Sequence, residues 1–331
     1  MQITEGGISF GYCDMPFITK NGLLDAAQAV SDFYSSHPSY FPFLFDVEQL
    51  SGFLSISRKR LFDMARGADG HYQRIELEKN NGKIRVIHAP DKELKRMQQT
   101  ILRDILRKYS PSQYAKAYVR RRSLAENASP HVGKRYLLKM DISDFFGSIR
   151  FEQVYASAFN TKHFPKRIGV LLTSLCCYKG VLPQGAPTSP ALSNLVMRNF
   201  DNNIGHWCDK RGIAYTRYCD DMTFSSDKPL YHVYQKVRKM LEDMGFEINE
   251  KKTRFVTSAS RQSVTGLTVN EKVAVSRDYK RRVRQEVYYA LKFRETGDTE
   301  KHRIIGKISY IVQIEPENTQ FQTALEQMRK L

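Results

Sequence analysis

The feature that most constrains the fold is a pair of adjacent aspartates set between two strand-like segments. In "IAYTRYCDDMTFSS", aromatic and β-branched residues on both sides of the pair predict a strand, a tight turn and a second strand. Asp220 and Asp221 fall at this turn. Adjacent carboxylates repel each other, so such a hairpin needs a cationic group beside them.

A third carboxylate can join this pair. The segment "RYLLKMDI" (135–142) is typical of a buried strand that ends in Asp141. If the two strands are neighbours, three carboxylates converge at one sheet edge. Oxygen ligands at that density suit Mg²⁺, and two such ions about 3.5–4 Å apart serve phosphoryl transfer in polymerases and nucleases. The competing interpretation is a turn that tolerates two solvated aspartates.

The charge balance points to a polyanionic partner. The chain has 52 Lys plus Arg against 35 Asp plus Glu, a net charge of +17. Such a protein is expected to bind nucleic acid or, less often, an anionic membrane, although a solvated basic surface is the simpler alternative. The N-terminus lacks a signal-peptide pattern, and the longest apolar stretch, "VLLTSLCCY", is too short to span a membrane. The five cysteines lack the paired spacing of a zinc site and indicate reduced thiols in a cytoplasmic protein.

The pattern of segments predicts an α+β architecture. Helical patterns cover 46–66 and the stretch from Leu94 to Leu106, and a hairpin is expected over 71–90. After 135 the order is strand, mixed helical segment, loop, helix, hairpin, helix and strand, with short strands at "FEIN" and "SVTGLTV" and a basic helical end. A helix is also possible at "NGLLDAAQAVSDFYSSH". Antiparallel strands alternating with helices fit a sheet with helices on one face.

Three further strings surround the aspartates. "LPQGAPTSP" is a loop with a helix start at Ser189 and Pro190, "DISDFFGSI" places Phe146 after Asp141, and "GFEINEKKT" places two lysines after a short strand. In this order, over roughly residues 50–270, these strings resemble the sequence blocks of reverse transcriptases. Three details resemble the retron subgroup: the string "NASPH", the form Gln184-Gly185-x-x-x-Ser189-Pro190, and Val264-Thr265-Gly266.

The resemblance implies a right-hand polymerase with fingers, palm and a short helical thumb. It places an unassigned N-terminal extension at 1–45 and the fingers at 46–134 plus part of 150–185. The palm, with an antiparallel sheet and the aspartates, spans 135–262, and the thumb spans 263–331. In this fold Asp141 and Asp220 would bind two Mg²⁺ ions with support from Asp221. Lys252 would be the general acid for the departing pyrophosphate, with Lys251 as the open alternative.

The resemblance also implies contacts with an incoming deoxynucleoside triphosphate. Backbone amides of Asp144 and Phe145 would face the triphosphate. Phe146 would exclude a 2′-hydroxyl, and Phe145 is the member of this pair expected in the core. Gln184 would contact the sugar or the primer end, and Gly185 would permit close approach. The phosphates would also be clamped from the fingers, by Lys83 and Arg85.

Nucleic-acid contacts are expected at two places. Asn127 and His131 would fix a loop that recognises the RNA, or would buttress that loop. In the thumb, "SRDYKRRVRQEVYYALK" places basic residues on one helix, with a solvated helix face as the alternative. The basic residues are Arg277, Lys280, Arg281, Arg282 and Arg284.

The function implied is synthesis of RNA-linked single-stranded DNA, called msDNA, from a cognate structured non-coding RNA. The family primes from a guanosine 2′-hydroxyl and serves anti-phage defence with a separate effector protein. Alternatives are a group II intron-like or abortive-infection reverse transcriptase, a catalytically silent RNA-binding protein, and an RNA-dependent RNA polymerase. The retron-like strings argue against the other two kinds of reverse transcriptase. The intact aspartates argue against a catalytically silent protein, and Phe146 argues against an RNA-dependent RNA polymerase.

Overall fold

The structure, a computed structural model, describes residues 3–4, 7–8, 44–78, 82, 84–293 and 297–331. It divides into two compact units, Met1–Phe43 and Leu44–Leu331. In the first unit, β1 (Ile3–Thr4) pairs antiparallel with β2 (Gly7–Ile8). The helix considered over 21–37 and the predicted phosphate ligand Lys83 lie outside the described residues.

The second unit begins with two helices and a hairpin. The continuous helical pattern expected over 46–66 is divided into α1 (Val47–Leu54) and α2 (Arg58–Arg66). The division occurs because Ser55 takes a left-handed conformation (φ 56°), which ends α1, and the Ser57 hydroxyl then caps α2. The predicted hairpin is confirmed as a two-stranded sheet. Its strands are β3 (Tyr72–Glu78) and β4 (Ile84–Pro90), and α3 (Lys92–Asp104) follows.

A four-stranded antiparallel sheet forms the centre of this unit, in the strand order β6-β7-β5-β8. The strands are β5 (Tyr136–Asp141), β6 (Ala214–Tyr218), β7 (Asp221–Ser226) and β8 (Arg254–Thr257). The expected strand at "FEIN" is wrong: it contributes only one isolated bridge, between Ile142 and Ile248. The edge position is taken by β8, which pairs with β5 over four residues.

The strand-poor stretch between β5 and β6 forms helices. They are α5 (Phe145–Ser148), α6 (Phe151–Ala158), α7 (Lys166–Cys176) and α8 (Ser189–Asp209), and α9 (Tyr231–Asp243) follows β7. The longest of them, α8, packs against β6. Ser189 is the first helical residue of α8 rather than its cap, because its hydroxyl donates to the Pro183 carbonyl within the preceding loop. The helical pattern of α8 and α9 and the α+β expectation are confirmed.

The C-terminal part combines a small sheet with three helices. Strands β9 (Ser263–Val264), β10 (Leu267–Thr268) and β11 (Ala274–Val275) form the sheet in the order β11-β10-β9. The helices are α10 (Arg277–Phe293), α11 (Asp298–Ile314) and α12 (Thr319–Lys330). They share a core that includes Val283, Val287, Ile304, Ile308, Ile311, Phe321 and Met328. The predicted helical end is confirmed.

Two short elements lie between the first hairpin and the central sheet. Helix α4 (Leu124–Ala128) continues into a 3₁₀ turn at Ser129–His131. Its N-terminus is capped by the Ser123 hydroxyl, which accepts from the Glu126 amide. None of the helices in the described part of the chain combines the length and apolar character that crossing a membrane requires.

Candidate active site

The predicted convergence of the two acidic strands is confirmed. Asp141, the last residue of β5, lies directly opposite Asp221, the first residue of β7. Asp220 lies in the two-residue turn between β6 and β7, and its carbonyl accepts a 3.2 Å hydrogen bond from the Ile142 amide. The three carboxylates therefore meet at one end of the sheet.

Lys252 is the cation that the repulsion between these carboxylates requires. Its Nζ lies 2.8 Å from Asp141 Oδ2, and the Asp141 side chain is only 6% exposed. The hydrogen bond to Asp141 raises the pKa of Lys252, so the ammonium is protonated at neutral pH. Lys251 is exposed and makes no such contact in the described part of the chain. The geometry thus favours Lys252 over Lys251 as the lysine of this site.

The negative charge of the site is only partly balanced. Burial, and then the charges of Asp220 and Asp141, raise the pKa of Asp221 to about 6, while Lys139 and Lys252 oppose this shift. Across the described ranges, no three His, Cys, Asp or Glu side chains are already arranged to hold a metal ion. The donor set is nevertheless hard carboxylate oxygen, the type that Mg²⁺ takes, and a divalent cation would relieve the repulsion.

The burial of Asp221 and its repulsion by Asp220 and Asp141 predict that Asp221→Asn stabilises the metal-free protein. A carboxyl whose pKa is raised on folding binds its proton more tightly when folded, so stability falls as pH rises from about 4 to 6. In a chelator at pH 7.5 the variant should melt about 2–5 °C higher than wild type. The difference should vanish near pH 4. Exposed Glu271→Gln is the control, and equal melting temperatures at pH 7.5 would contradict the prediction.

The predicted nucleotide-facing residues directly follow β5, the strand that ends in Asp141. Asp144 takes a left-handed conformation (φ 39°), and its carboxylate lies where a side chain on Gly147 would be, with Oδ2 2.2 Å from an added Cβ. A side chain at 147 would therefore displace the Asp144 carboxylate from this position. Phe145 is 4% exposed and contacts Phe246, which confirms its expected place in the core, while Phe146 is half-buried. Phe146 is thus the aromatic ring that can reach a ligand.

The Gln-Gly turn packs against the β3–β4 hairpin. The Gln184 carbonyl accepts a 2.8 Å hydrogen bond from the His88 amide of β4. Gly185 has φ 128°, and an added Cβ would lie 2.3 Å from Ile87 Cγ2. The close approach expected at Gly185 is therefore an approach to β4, and any added side chain would push the strand away. The same strand carries Arg85, which is exposed.

Asn127 and His131 are interior residues, which corrects their assignment as RNA ligands. His131 is fully buried, with ring nitrogens 2.7 Å from Ser225 Oγ and 2.9 Å from Thr216 Oγ1, and burial lowers its pKa to about 3. Asn127 Nδ2 donates to Thr265 Oγ1 at 3.3 Å. These side chains join the β6–β7 hairpin to the β9–β10 turn, so the buttressing alternative is the one this geometry supports.

The arginines and the lysine of α10 that were predicted to bind RNA have different surroundings. Arg277, Arg281, Arg282 and Arg284 of α10 are exposed. Lys280 instead pairs at 2.9 Å with Glu315, whose side chain is 3% exposed, so its assignment as an RNA ligand is corrected. A cation neutralising a buried carboxylate is not available to phosphate.

Sequence reasoning missed a buried ion pair beneath the β6–β7 hairpin. Arg217 is fully buried and forms a 2.6 Å ion pair with Asp201 of α8. Side chains alternate along a strand, so Arg217 lies on the face opposite Tyr218. A charged residue on the inward face of a strand was therefore a signal present in the sequence. The sequence did not indicate that Asp201 is its partner.

The fold and the acidic end of its central sheet define a nucleic-acid polymerase of the reverse transcriptase class. The model of the family "Reverse transcriptase (RNA-dependent DNA polymerase)" matches residues 77–284. This match confirms the right-hand polymerase fold expected from the sequence.

Comparison with curated relatives identifies the subgroup of reverse transcriptases to which the chain is similar. The retron Ec86 reverse transcriptase of Escherichia coli is 32% identical over 83% of this chain and 86% of its own length. The retron Mx65 reverse transcriptase of Myxococcus xanthus is 33% identical over 76% of this chain, which spans 63% of that relative. The chain belongs to the retron reverse transcriptase family. It is therefore an RNA-directed DNA polymerase, which implies an RNA template and deoxynucleoside triphosphates.

Proposed function

We propose that this chain copies a structured non-coding RNA into DNA at the site formed by Asp141, Asp220 and Asp221. The observation that carries the proposal is the meeting of these carboxylates beside the Lys252 ammonium at the end of β5 and β7. Asp141 and Asp220 would hold two Mg²⁺ ions, and Asp221 would support them. Bound there, the ions would supply charge stabilisation for the attacking and leaving oxygens.

Lys252 is proposed as the general acid. Its Nζ carries a proton that its contact with Asp141 retains, since that contact raises its pKa. The side chain is 60% exposed, so it can turn from Asp141 towards a departing pyrophosphate. Proton donation from Nζ would neutralise charge on the leaving group as its bond breaks.

The nucleotide site is proposed between the turn after β5 and the fingers. Within the described residues, the amides of Asp144 and Phe145 have no backbone acceptor outside their own turn, so they can donate to a triphosphate. Arg85 extends from an exposed strand and would bind phosphate oxygens with its guanidinium. Gln184 and Gly185 would place this strand relative to the nucleotide, through the contacts with His88 and Ile87.

The exposed face of α10 is proposed to bind RNA phosphates. Replacing Arg281 and Arg282 by alanine should weaken RNA binding and reduce the slope of log affinity against log salt by about one to two, because each phosphate contact releases counterions. Both arginines are exposed, and the partner of Arg281, Asp278, is exposed as well.

A filter-binding titration over several salt concentrations measures this slope. Arg329→Ala with Lys330→Ala removes the same charge from the exposed end of α12 and serves as the matched control. We expect a smaller change for the control pair. Equal affinity and equal slope for the α10 variant and wild type would count against phosphate binding by this face.

Family membership also leads us to propose the biological setting. Synthesis would begin at a 2′-hydroxyl of a guanosine in the cognate RNA and would yield RNA-linked single-stranded DNA. The complex would act in anti-phage defence with a separate effector protein. Detection of DNA joined covalently to RNA in the purified complex tests the first part of this proposal.

A further inference from the structure

Beneath the catalytic hairpin lies a guanidinium with no access to solvent. Arg217 and Asp201 are both fully buried and form a bidentate ion pair. Arg217 Nε lies 2.8 Å from Asp201 Oδ1, and Arg217 Nη2 lies 2.6 Å from Asp201 Oδ2. Tyr215 donates a further hydrogen bond to Asp201 Oδ1 at 2.8 Å. A buried charge is costly unless its hydrogen-bonding groups are satisfied, so this arrangement needs an explanation beyond ordinary packing.

The ion pair uses only part of the guanidinium. Nη1 donates to the carbonyl of Cys219 at 2.9 Å, and Nη2 also donates to Asn194 Oδ1 at 3.1 Å. Cys219 is the first residue of the two-residue turn and has φ 61°, a conformation that L-residues adopt reluctantly. Arg217 therefore holds the strained peptide that immediately precedes Asp220.

The turn is held from its other side as well. The Asp220 carbonyl accepts from the Ile142 amide, one residue past Asp141. The carbonyls before and after the Asp220 side chain are thus both fixed, one by Arg217 and one by the neighbouring catalytic strand. Fixing both carbonyls limits how far the Asp220 carboxylate can move.

We propose that Arg217, oriented by Asp201, is a positioning residue that sets the place of the Asp220 carboxylate for divalent-cation binding. The inference rests on the proposed role of Asp220. Lysine could neutralise Asp201, but its single ammonium cannot reproduce the guanidinium fork that reaches Asp201 and the Cys219 carbonyl together. The arrangement thus calls for arginine rather than for any cation.

The test uses Arg217→Lys in the full chain. On a preformed RNA template with a DNA primer, we expect kcat to fall about 10-fold to 100-fold, since misplacing a catalytic group by about 1 Å has that effect. KM for the deoxynucleotide should stay within about twofold. Without substrates, Mn²⁺ binding followed by electron paramagnetic resonance should weaken about 10-fold or more. Hydrogen exchange at the Ile142 amide should become faster, about 10-fold.

Two further variants separate positioning from stability. Arg217→Met with Asp201→Leu removes the ion pair without leaving a lone buried charge, so the chain should fold and still show the same losses. Asp209→Asn, on the same helix two turns beyond Asp201, neutralises a carboxylate that Tyr114 contacts and should leave all four measurements within about twofold of wild type.

Wild-type kcat, Mn²⁺ affinity and Ile142 exchange in a folded Arg217→Lys or in the double variant would overturn the proposal. If Arg217→Lys does not fold, the double variant decides. A wild-type protein that makes no DNA would instead refute the proposed function. The Mn²⁺ and exchange measurements would still report whether Arg217 positions the turn.

Discussion

Asp220→Asn is expected to reduce DNA synthesis on an RNA template by at least about 10³-fold while RNA binding persists. Charge stabilisation at a metal centre contributes several kcal/mol, and each 1.36 kcal/mol is about a factor of ten in rate. Asparagine keeps the size of the side chain and leaves the Cys219 and Asp220 carbonyl contacts available, so the hairpin should fold.

Primer extension on an RNA template, together with an RNA-binding titration, measures both parts of this expectation. Asp227→Asn is the matched control, because Asp227 follows the other end of the same strand and pairs with Lys134 at the surface. The control should retain activity within about twofold, since surface ion pairs contribute little to stability. Full-length complementary DNA from Asp220→Asn would contradict the assignment.

Phe146→Ala is expected to let the enzyme use ribonucleotides, lowering its preference for deoxynucleotides by about 10²-fold. The half-buried ring follows the catalytic strand and contacts the buried Phe145, so its position is fixed and its outer side can exclude a 2′-hydroxyl. Alanine removes the ring and opens that space.

The ratio of kcat/KM for matched deoxy- and ribonucleotides measures the change. Phe146→Tyr retains the ring and should keep the preference of the wild type. An unchanged ratio in an alanine variant that still makes DNA would remove the gating role from Phe146.

Local patterning predicted the strands that carry the three aspartates. Alternation of apolar residues around Asp220, and the buried run ending in Asp141, specify two strands whose acidic ends meet when the strands pair. The geometry of the turn was not predictable in the same way, because the alternation of a strand does not continue through Cys219, which has φ 61°.

Long-range pairing of charges was beyond local patterns. Lys280 looks like a member of a basic helix face, but Glu315, 35 residues later, binds it in the interior. Arg217 and Asp201 likewise lie on different elements, and their spacing in the sequence does not predict that they are in contact. Such contacts depend on how the helices pack, which a single sequence does not specify.

The interior position of His131 and Asn127 was also not predictable from local patterns, because it depends on contacts between segments that are distant in the sequence. Their string resembles the retron subgroup, yet their contacts are with Thr216, Ser225 and Thr265. Two subgroup-like strings, "NASPH" and Val264-Thr265-Gly266, are therefore in direct contact and join the β6–β7 hairpin to the β9–β10 turn. A histidine with a pKa of about 3 stays neutral throughout the physiological range and suits this structural task.

The central claim is that Asp141, Asp220 and Asp221 form the centre of RNA-directed DNA synthesis on a dedicated RNA. The most direct measurement is the nucleic acid that co-purifies with the protein expressed together with the genomic sequence around its own reading frame. We predict DNA covalently joined to RNA, sensitive to both deoxyribonuclease and ribonuclease and missing from the Asp220→Asn variant. RNA without attached DNA in the wild-type complex, or the same joined product from the variant, would contradict the claim.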